Sequence, residues 1–143
     1  MKPEAILSRY PEVELAFQYG SSVRKDRKRV QDVDIAVFLK TGVAAEERLD
    51  IQLALADALR HYYQKEVDIA ILNTASPFLA YQIIKHGRLL YDPRNKSHDF
   101  VVQTLTRYFD YLPLHRFFVD KLYKDLGVRQ KHGRLQKHRG SSL

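Results

Sequence analysis

Residues 20–34 read GSSVRKDRKRVQDVD, and this stretch decides the fold. A strand-like segment, VELAFQY at 13–19, leads into its Gly-Ser pair, which reads as a turn. Ten residues separate that pair from the Asp-Val-Asp sequence at its end. The segment that begins there, DVDIAVFL at 32–39, is rich in β-branched residues and predicts a second strand.

The two aspartates of this second strand carry the candidate chemistry. Asp32 and Asp34 are two residues apart, so in a strand they point to the same face, about 6.6 Å from each other along it. Carboxylates that face the same way suit a hard cation such as Mg²⁺. Asp68 lies in VDIAI, which repeats the pattern VDIAV around Asp34, so neighbouring strands would bring these two acids together. Three acids can hold two metal ions for an in-line displacement at phosphorus.

The turn between the strands suits a phosphate. Gly20 allows the backbone to approach a ligand closely, and the Ser21 hydroxyl with the N–H groups that follow can donate hydrogen bonds to it. Arg24 is the base in the following loop that is nearest to the turn, and its guanidinium would neutralise phosphate charge.

The flanking sequence predicts alternating strands and helices without an internal repeat. The predicted order is helix 3–10, strand 13–19, strand 32–39, helix 45–63, strand 67–72, a helix capped by Ser76-Pro77 and stopped at Gly87, edge strand 88–91, and helix 97–123 broken or kinked near Pro113. This order indicates an α/β (α+β) domain with a small mixed sheet flanked by helices and a helical C-terminal third. We expect one domain over 1–126, with the motifs at 10–92 and C-terminal helices at 97–123, and a basic, flexible tail at 127–143.

Composition and charge exclude several classes of protein and of functional site. The 143 residues include no cysteine, which excludes a disulfide scaffold, thiolate metal sites and a cysteine nucleophile. No apolar run is long enough to span a membrane, so we expect a cytoplasmic protein. The net charge is +7, but 127–143 contains five Lys or Arg and no acid, which leaves +2 for 1–126. We therefore expect no specific binding of nucleic acid.

The Gly-Ser pair, the ten-residue spacing and Asp-x-Asp resemble the signature of the DNA polymerase β nucleotidyltransferase superfamily. The short chain resembles its minimal nucleotidyltransferases (MNT), the antitoxins of HEPN/MNT toxin–antitoxin pairs. The residues that carry the resemblance are Tyr19-Gly20-Ser21, Arg24, Asp32-Val33-Asp34, Val67-Asp68 and the GRLLY sequence at 87–91. Lys25 stands where many relatives have glycine, so we expect a less tight turn here.

The resemblance implies a polymerase-β-type sheet and a protein adenylyltransferase. AMP would pass from ATP to a tyrosine hydroxyl of a cognate HEPN ribonuclease toxin, which is thereby neutralised, with release of pyrophosphate. Asp32 and Asp34 would hold two Mg²⁺ ions, and Asp68 would complete one metal site and accept the hydroxyl proton. Gly20, Ser21, Ser22 and Arg24 would bind the nucleotide.

Two alternatives stay open on the sequence. A small-molecule nucleotidyltransferase of the aminoglycoside-modifying type shares the same motif, although the residues after Tyr91 offer little material for an acceptor pocket. A non-catalytic antitoxin that acts by binding alone would also keep these acids. Aromatic residues at helical spacing between Phe100 and Tyr123 predict a packing face, against the sheet or a partner.

Overall fold

A computed structural model describes residues 2–20 and 32–127 and contains one four-stranded sheet. The strands are β1 (Val13–Tyr19), β2 (Asp32–Leu39), β3 (Glu66–Ile71) and β4 (Arg88–Tyr91), in the spatial order β3-β2-β1-β4. β1 pairs antiparallel with both β2 and β4, whereas β2 and β3 are parallel. The prediction of a small mixed sheet with β4 at an edge is confirmed.

Four α-helices accompany the sheet in the described part of the chain: α1 (Pro3–Leu7), α2 (Ala45–Tyr63), α3 (Pro77–His86) and α4 (Ser97–Asp125). The bounds of α2 and α3 agree with the sequence prediction. Ser76 caps α3 as expected, because its Oγ accepts a hydrogen bond from the Leu79 N–H at 3.1 Å. Between β3 and α3 lies a short 3₁₀ turn, Leu72–Thr74.

The two faces of the sheet bury separate hydrophobic clusters. Val33, Ile35 and Val37 of β2 pack on one face with α1 and with the buried side of α2. Ala36 lies on the opposite face, in a cluster that includes Ile83 of α3 and Phe100 of α4. Side chains of a strand alternate between faces, so residues 32 and 34 of β2 lie on the α3 side.

Three boundaries before α4 differ from the prediction. α1 ends at Leu7 rather than at residue 10, because the chain tightens into 3₁₀-type hydrogen bonds and Pro11 disfavours helical geometry at the residue before it. β3 begins one residue earlier than expected, and Leu72 belongs to the 3₁₀ turn.

Of the break or kink expected near Pro113, the structure excludes the break, since α4 continues through that residue to Asp125, two residues beyond the predicted end. Proline removes a single backbone donor, and the many other hydrogen bonds of so long a helix hold it together.

The chain divides into two compact units, residues 1–106 and 107–143, and the boundary falls within α4. The sheet, α1, α2, α3 and the start of α4 belong to the first unit. Among the described residues, no helix combines the length and the apolar character needed to cross a membrane.

Candidate active site

The predicted acidic residues lie side by side at one end of the sheet. Asp34 of β2 is the register partner of Asp68 on the parallel strand β3, and Asp32 occupies the next position along the same face of β2. Adjacent strands are about 4.8 Å apart. The structure therefore brings Asp32, Asp34 and Asp68 into one patch, as the matching VDIAV and VDIAI sequences predicted.

Packing fixes the direction of these side chains. Val33 and Val67 are buried in the cluster beneath α2, so the residues on either side of them face away from that helix. Asp32 and Asp68 are exposed and Asp34 is half-buried. The acidic patch therefore lies on the α3 side of the sheet, where a ligand can reach it from solvent.

The end of β1 completes the patch. Tyr19 is the register partner of Asp34, and Gly20 follows it with a φ of +75°. A Cβ built on Gly20 would collide with Oδ2 of Asp34 and would lie 3.2 Å from its Cγ. The positive φ favours glycine at this position, and a Cβ here would force the Asp34 carboxylate to move.

The residues that follow α3 contact the end of β1. At Gly87, which follows α3, a Cβ would lie 2.9 Å from the Gln18 carbonyl oxygen and 3.4 Å from the Cβ of Tyr19. Nη2 of Arg88 donates a hydrogen bond to Oε1 of Gln18 at 2.7 Å. The GRLLY sequence at 87–91 therefore supports the strand that presents Tyr19 and Gly20.

Electrostatics show that negative charge converges at this patch. Burial raises the pKa of Asp34, and the neighbouring Asp68 and Asp32 carboxylates raise it further. Burial also raises the pKa of the Tyr19 phenol, with added contributions from Asp34 and Asp68. Within residues 2–20 and 32–127, none of the three acids forms an ion pair. A cation would relieve this repulsion.

The donor set fits a magnesium ion bound together with a substrate. The described residues contain no group of three carboxylate, imidazole or thiol side chains already arranged around a metal position. Mg²⁺, however, commonly takes one or two carboxylates and completes its shell with water and substrate phosphates. Exposed carboxylates on adjacent strands suit that mode of binding.

The remaining predicted site residues lie outside the described part of the chain. They are Ser21, Ser22 and Arg24, and their assignment to the nucleotide stays a prediction.

The acidic patch contains one further acidic residue that the sequence analysis did not identify. Glu66 is the register partner of Asp32 and lies on the same face of β3 as Asp68, exposed to solvent. The signal was present in the sequence, because Glu-Val-Asp-Ile-Ala-Ile at 66–71 repeats the type and order of Asp-Val-Asp-Ile-Ala-Val at 32–37. The shorter match that begins at Val67 leaves this residue out.

Known proteins are similar to this chain in sequence and in fold. The protein adenylyltransferase MntA of Shewanella oneidensis is 26% identical over 133 residues, which cover 93% of this chain and 88% of that protein. A crystal structure of a toxin–antitoxin with AMP-PNP superposes with a TM-score of 0.69 at 24% identity, covering 82% of this chain and 93% of the other.

A tri-AMPylated Shewanella oneidensis HEPN toxin in complex with MNT antitoxin supplies a further match. Its TM-score is 0.63 at 22% identity, with 84% of this chain and 95% of the other covered. At these identities the solved structures establish the fold. The family model described as "Polymerase beta, Nucleotidyltransferase" matches residues 2–96, which is more than half of the chain and includes the whole acidic patch. The chain therefore belongs to the polymerase β nucleotidyltransferase family.

Proposed function

We propose that this protein is an antitoxin-type adenylyltransferase that transfers AMP from ATP to a tyrosine hydroxyl of a cognate HEPN ribonuclease toxin. The observation that carries the proposal is the register of Asp34 with Asp68, beside Asp32 and the glycine turn, in a member of the nucleotidyltransferase family. The likeness to a protein adenylyltransferase over 93% of the chain favours a protein as acceptor.

Each residue of the patch has a role in this proposal. Asp32, Asp34 and Asp68 hold Mg²⁺, which when bound supplies positive charge that offsets the negative charge of the triphosphate. Gly20 lacks a side chain beside Asp34, so that the nucleotide phosphates can approach this end of the sheet. Ser21, Ser22 and Arg24 follow directly in the sequence and donate to those phosphates.

Asp68 is the proposed proton acceptor. It lies on β3, an edge strand of the sheet, and its exposed side chain faces the same side as Asp34. A tyrosine of a docked protein can reach this edge. The tyrosine oxygen forms a bond to the α-phosphorus of ATP, the bond to the β-phosphate oxygen breaks, pyrophosphate leaves, and the phenolic proton passes to Asp68.

The test is AMP transfer to the toxin by a substoichiometric amount of this protein with ATP and Mg²⁺, followed by intact mass spectrometry. We expect the toxin to gain the mass of one or more AMP residues and to lose ribonuclease activity. Asp34→Asn and Asp68→Asn should abolish the mass gain, whereas Asp57→Asn, an exposed carboxyl on α2 away from the patch, should leave it unchanged.

Three other results would contradict the proposal in different ways. Protection of RNA without ATP, at unchanged toxin mass and at a ratio of one inhibitor per toxin, would show inhibition by binding alone. Transfer of AMP to an aminoglycoside and not to the toxin would show a small-molecule enzyme. Full transfer in excess chelator would exclude the role of Mg²⁺.

A further inference from the structure

The part of α4 that follows Thr106 exposes large apolar side chains. Leu114, Phe117 and Phe118 keep 54%, 60% and 56% of their surface accessible. The buried residues of α4 are Phe100 and Thr104, both before the second unit begins at Arg107. Among the described residues of that second unit, none is buried. A helical surface of this kind is typical of an interface that another chain covers.

Charged residues flank Leu114 and Phe117 in one row along this helix, while other exposed apolar side chains, among them Leu122 and Leu126, lie outside that row. We define the α4 stripe as Arg107, Asp110, Leu114, Phe117, Lys121 and Asp125. These residues are spaced by three or four, so they lie in one row along the helix, and all six are exposed. Phe118 lies beside the row. The four charged members form no ion pair with any residue in the described ranges.

The order of the charges makes the stripe complementary to itself. In an antiparallel pair of helices with a two-fold axis between Leu114 and Phe117, Arg107 lies opposite Asp125 of a second copy. Asp110 then lies opposite Lys121 of that copy, and the apolar residues meet at the centre. A parallel pair would instead place each charge beside the same charge. Such matching of a patch with itself defines the interface of a two-fold dimer.

We propose that the α4 stripe is a self-association surface, through which two copies of this chain pair antiparallel. Oppositely charged ends set the direction of the pairing, and the burial of Leu114, Phe117 and Phe118 supplies its free energy. The inference uses only the second unit and is independent of the proposed function.

A charge-swap series measured by sedimentation across a range of protein concentrations tests it. We expect the full chain to shift from the 16.7 kDa of a monomer toward twice that mass as its concentration rises. Asp110→Lys and Lys121→Asp should each raise the dissociation constant at least about tenfold, because each variant places two like-charged pairs in a two-fold interface. The double variant D110K/K121D should restore the dimer, which excludes a folding defect as the cause.

Arg116→Glu is the matched control, since this exposed residue changes charge by the same amount on the opposite face of the helix. It should leave the dissociation constant unchanged. A chain that stays monomeric at every concentration would overturn the inference, as would failure of the double variant to recover the dimer. A monomer whose binding to the HEPN toxin is weakened by Asp110→Lys would assign the stripe to that partner instead. AMP transfer by a monomeric chain would leave the proposed function intact.

Discussion

A side chain on Gly20 would occupy the position that the Asp34 carboxylate takes in the structure. The collision that a Cβ at this position would make with the Asp34 carboxylate links a local backbone requirement to the position of the central acid of the patch. The same glycine has a φ of +75°, a region that L-residues rarely adopt. Any substitution of Gly20 therefore has two effects: it strains the backbone, and it displaces the Asp34 carboxylate.

We predict that Gly20→Ala abolishes AMP transfer, whereas Gly42→Ala does not. Both glycines have positive φ, so both variants should lose stability by about 1 kcal/mol from backbone strain. A Cβ on Gly42 meets no atom within 4 Å, so the comparison isolates the displacement of Asp34. Thermal unfolding and transfer rates of both variants check the prediction. Equal activity of the two would show that the space beside Asp34 is unimportant.

A second prediction concerns the pH dependence of stability. Burial, Asp68 and Asp32 raise the pKa of Asp34, so the folded state binds this proton more tightly than the unfolded state does. Ionisation of Asp34 then destabilises the fold at neutral pH, and this cost disappears as the pH falls through the raised pKa toward the ordinary value of 3.8. In chelator at pH 7, Asp34→Asn should therefore raise the melting temperature, by an amount that shrinks as the pH falls.

Asp57 serves as a control, because its pKa is shifted in the opposite direction from that of Asp34. Its hydrogen bond with Arg60, 2.7 Å long, lowers the pKa of this exposed carboxyl. Asp57→Asn should therefore leave the melting temperature unchanged or lower it at pH 7. A lower melting temperature for Asp34→Asn than for the unsubstituted protein would contradict the charge repulsion inferred at the patch.

The sequence could predict the acidic patch because its members recur in a strict pattern. Asp32 and Asp34 are fixed by a two-residue period, and Asp68 by a strand of matching composition. The parallel pairing of β2 with β3 is a tertiary fact, however, and Glu66 joins the patch only through that register. The contact between Gly20 and Asp34 likewise depends on the antiparallel pairing of β1 with β2.

At the scale of elements, the side chain of Asn73 connects the 3₁₀ turn after β3 to the end of β2 by two hydrogen bonds. The Leu39 N–H donates to Oδ1 of Asn73, and Nδ2 of Asn73 donates to the Leu39 carbonyl, both at 2.8 Å. Leu39 itself is fully buried. One side chain thus satisfies two backbone groups that have no access to water.

We predict that Asn73→Ala lowers the free energy of unfolding by roughly 2–4 kcal/mol, because two buried backbone groups lose their partners. Asn73→Asp keeps the acceptor for the Leu39 N–H but sets a carboxylate oxygen against the Leu39 carbonyl oxygen, and should also lower the free energy of unfolding at pH 7. Urea unfolding at pH 7 measures both. Equal stability of Asn73→Ala and the unsubstituted chain would mean that water replaces the side chain at no cost.

The elements themselves followed closely from local patterns. β1, β2, α2, α3 and β4 have the predicted bounds, and turn residues or glycine mark several of their ends, such as Gly20 after β1 and Gly87 between α3 and β4. The differences at α1, at β3 and at the end of α4 all concern where an element begins or ends. Such ends depend on competing hydrogen bonds and on helix cooperativity, which a residue's own preference does not determine.

At the scale of the whole molecule, the charge is distributed unevenly. Residues 127–143 carry five of the seven net positive charges, and the acidic patch lies in the first unit. Long-range attraction between exposed charges acts mainly on the rate of encounter with a partner. The tail lies outside the described residues beyond Gly127, so its contribution stays a prediction from sequence.

We predict that deletion of residues 127–143 slows AMP transfer to the protein acceptor at low salt, by up to about tenfold, and leaves ATP binding unchanged. The effect should fade as salt rises, since exposed charges are screened beyond about 8–10 Å at physiological ionic strength. Replacing the five basic residues of the tail with glutamine keeps the length of the tail but removes its charge. The comparison with the deletion therefore distinguishes the effect of the charge from that of the tail's other contacts. The transfer rate of each form, measured across a salt series, checks the prediction. If the glutamine variant matched the unsubstituted chain while the deletion did not, the tail would act by contact; if all three rates coincided, it would have no part in recognition.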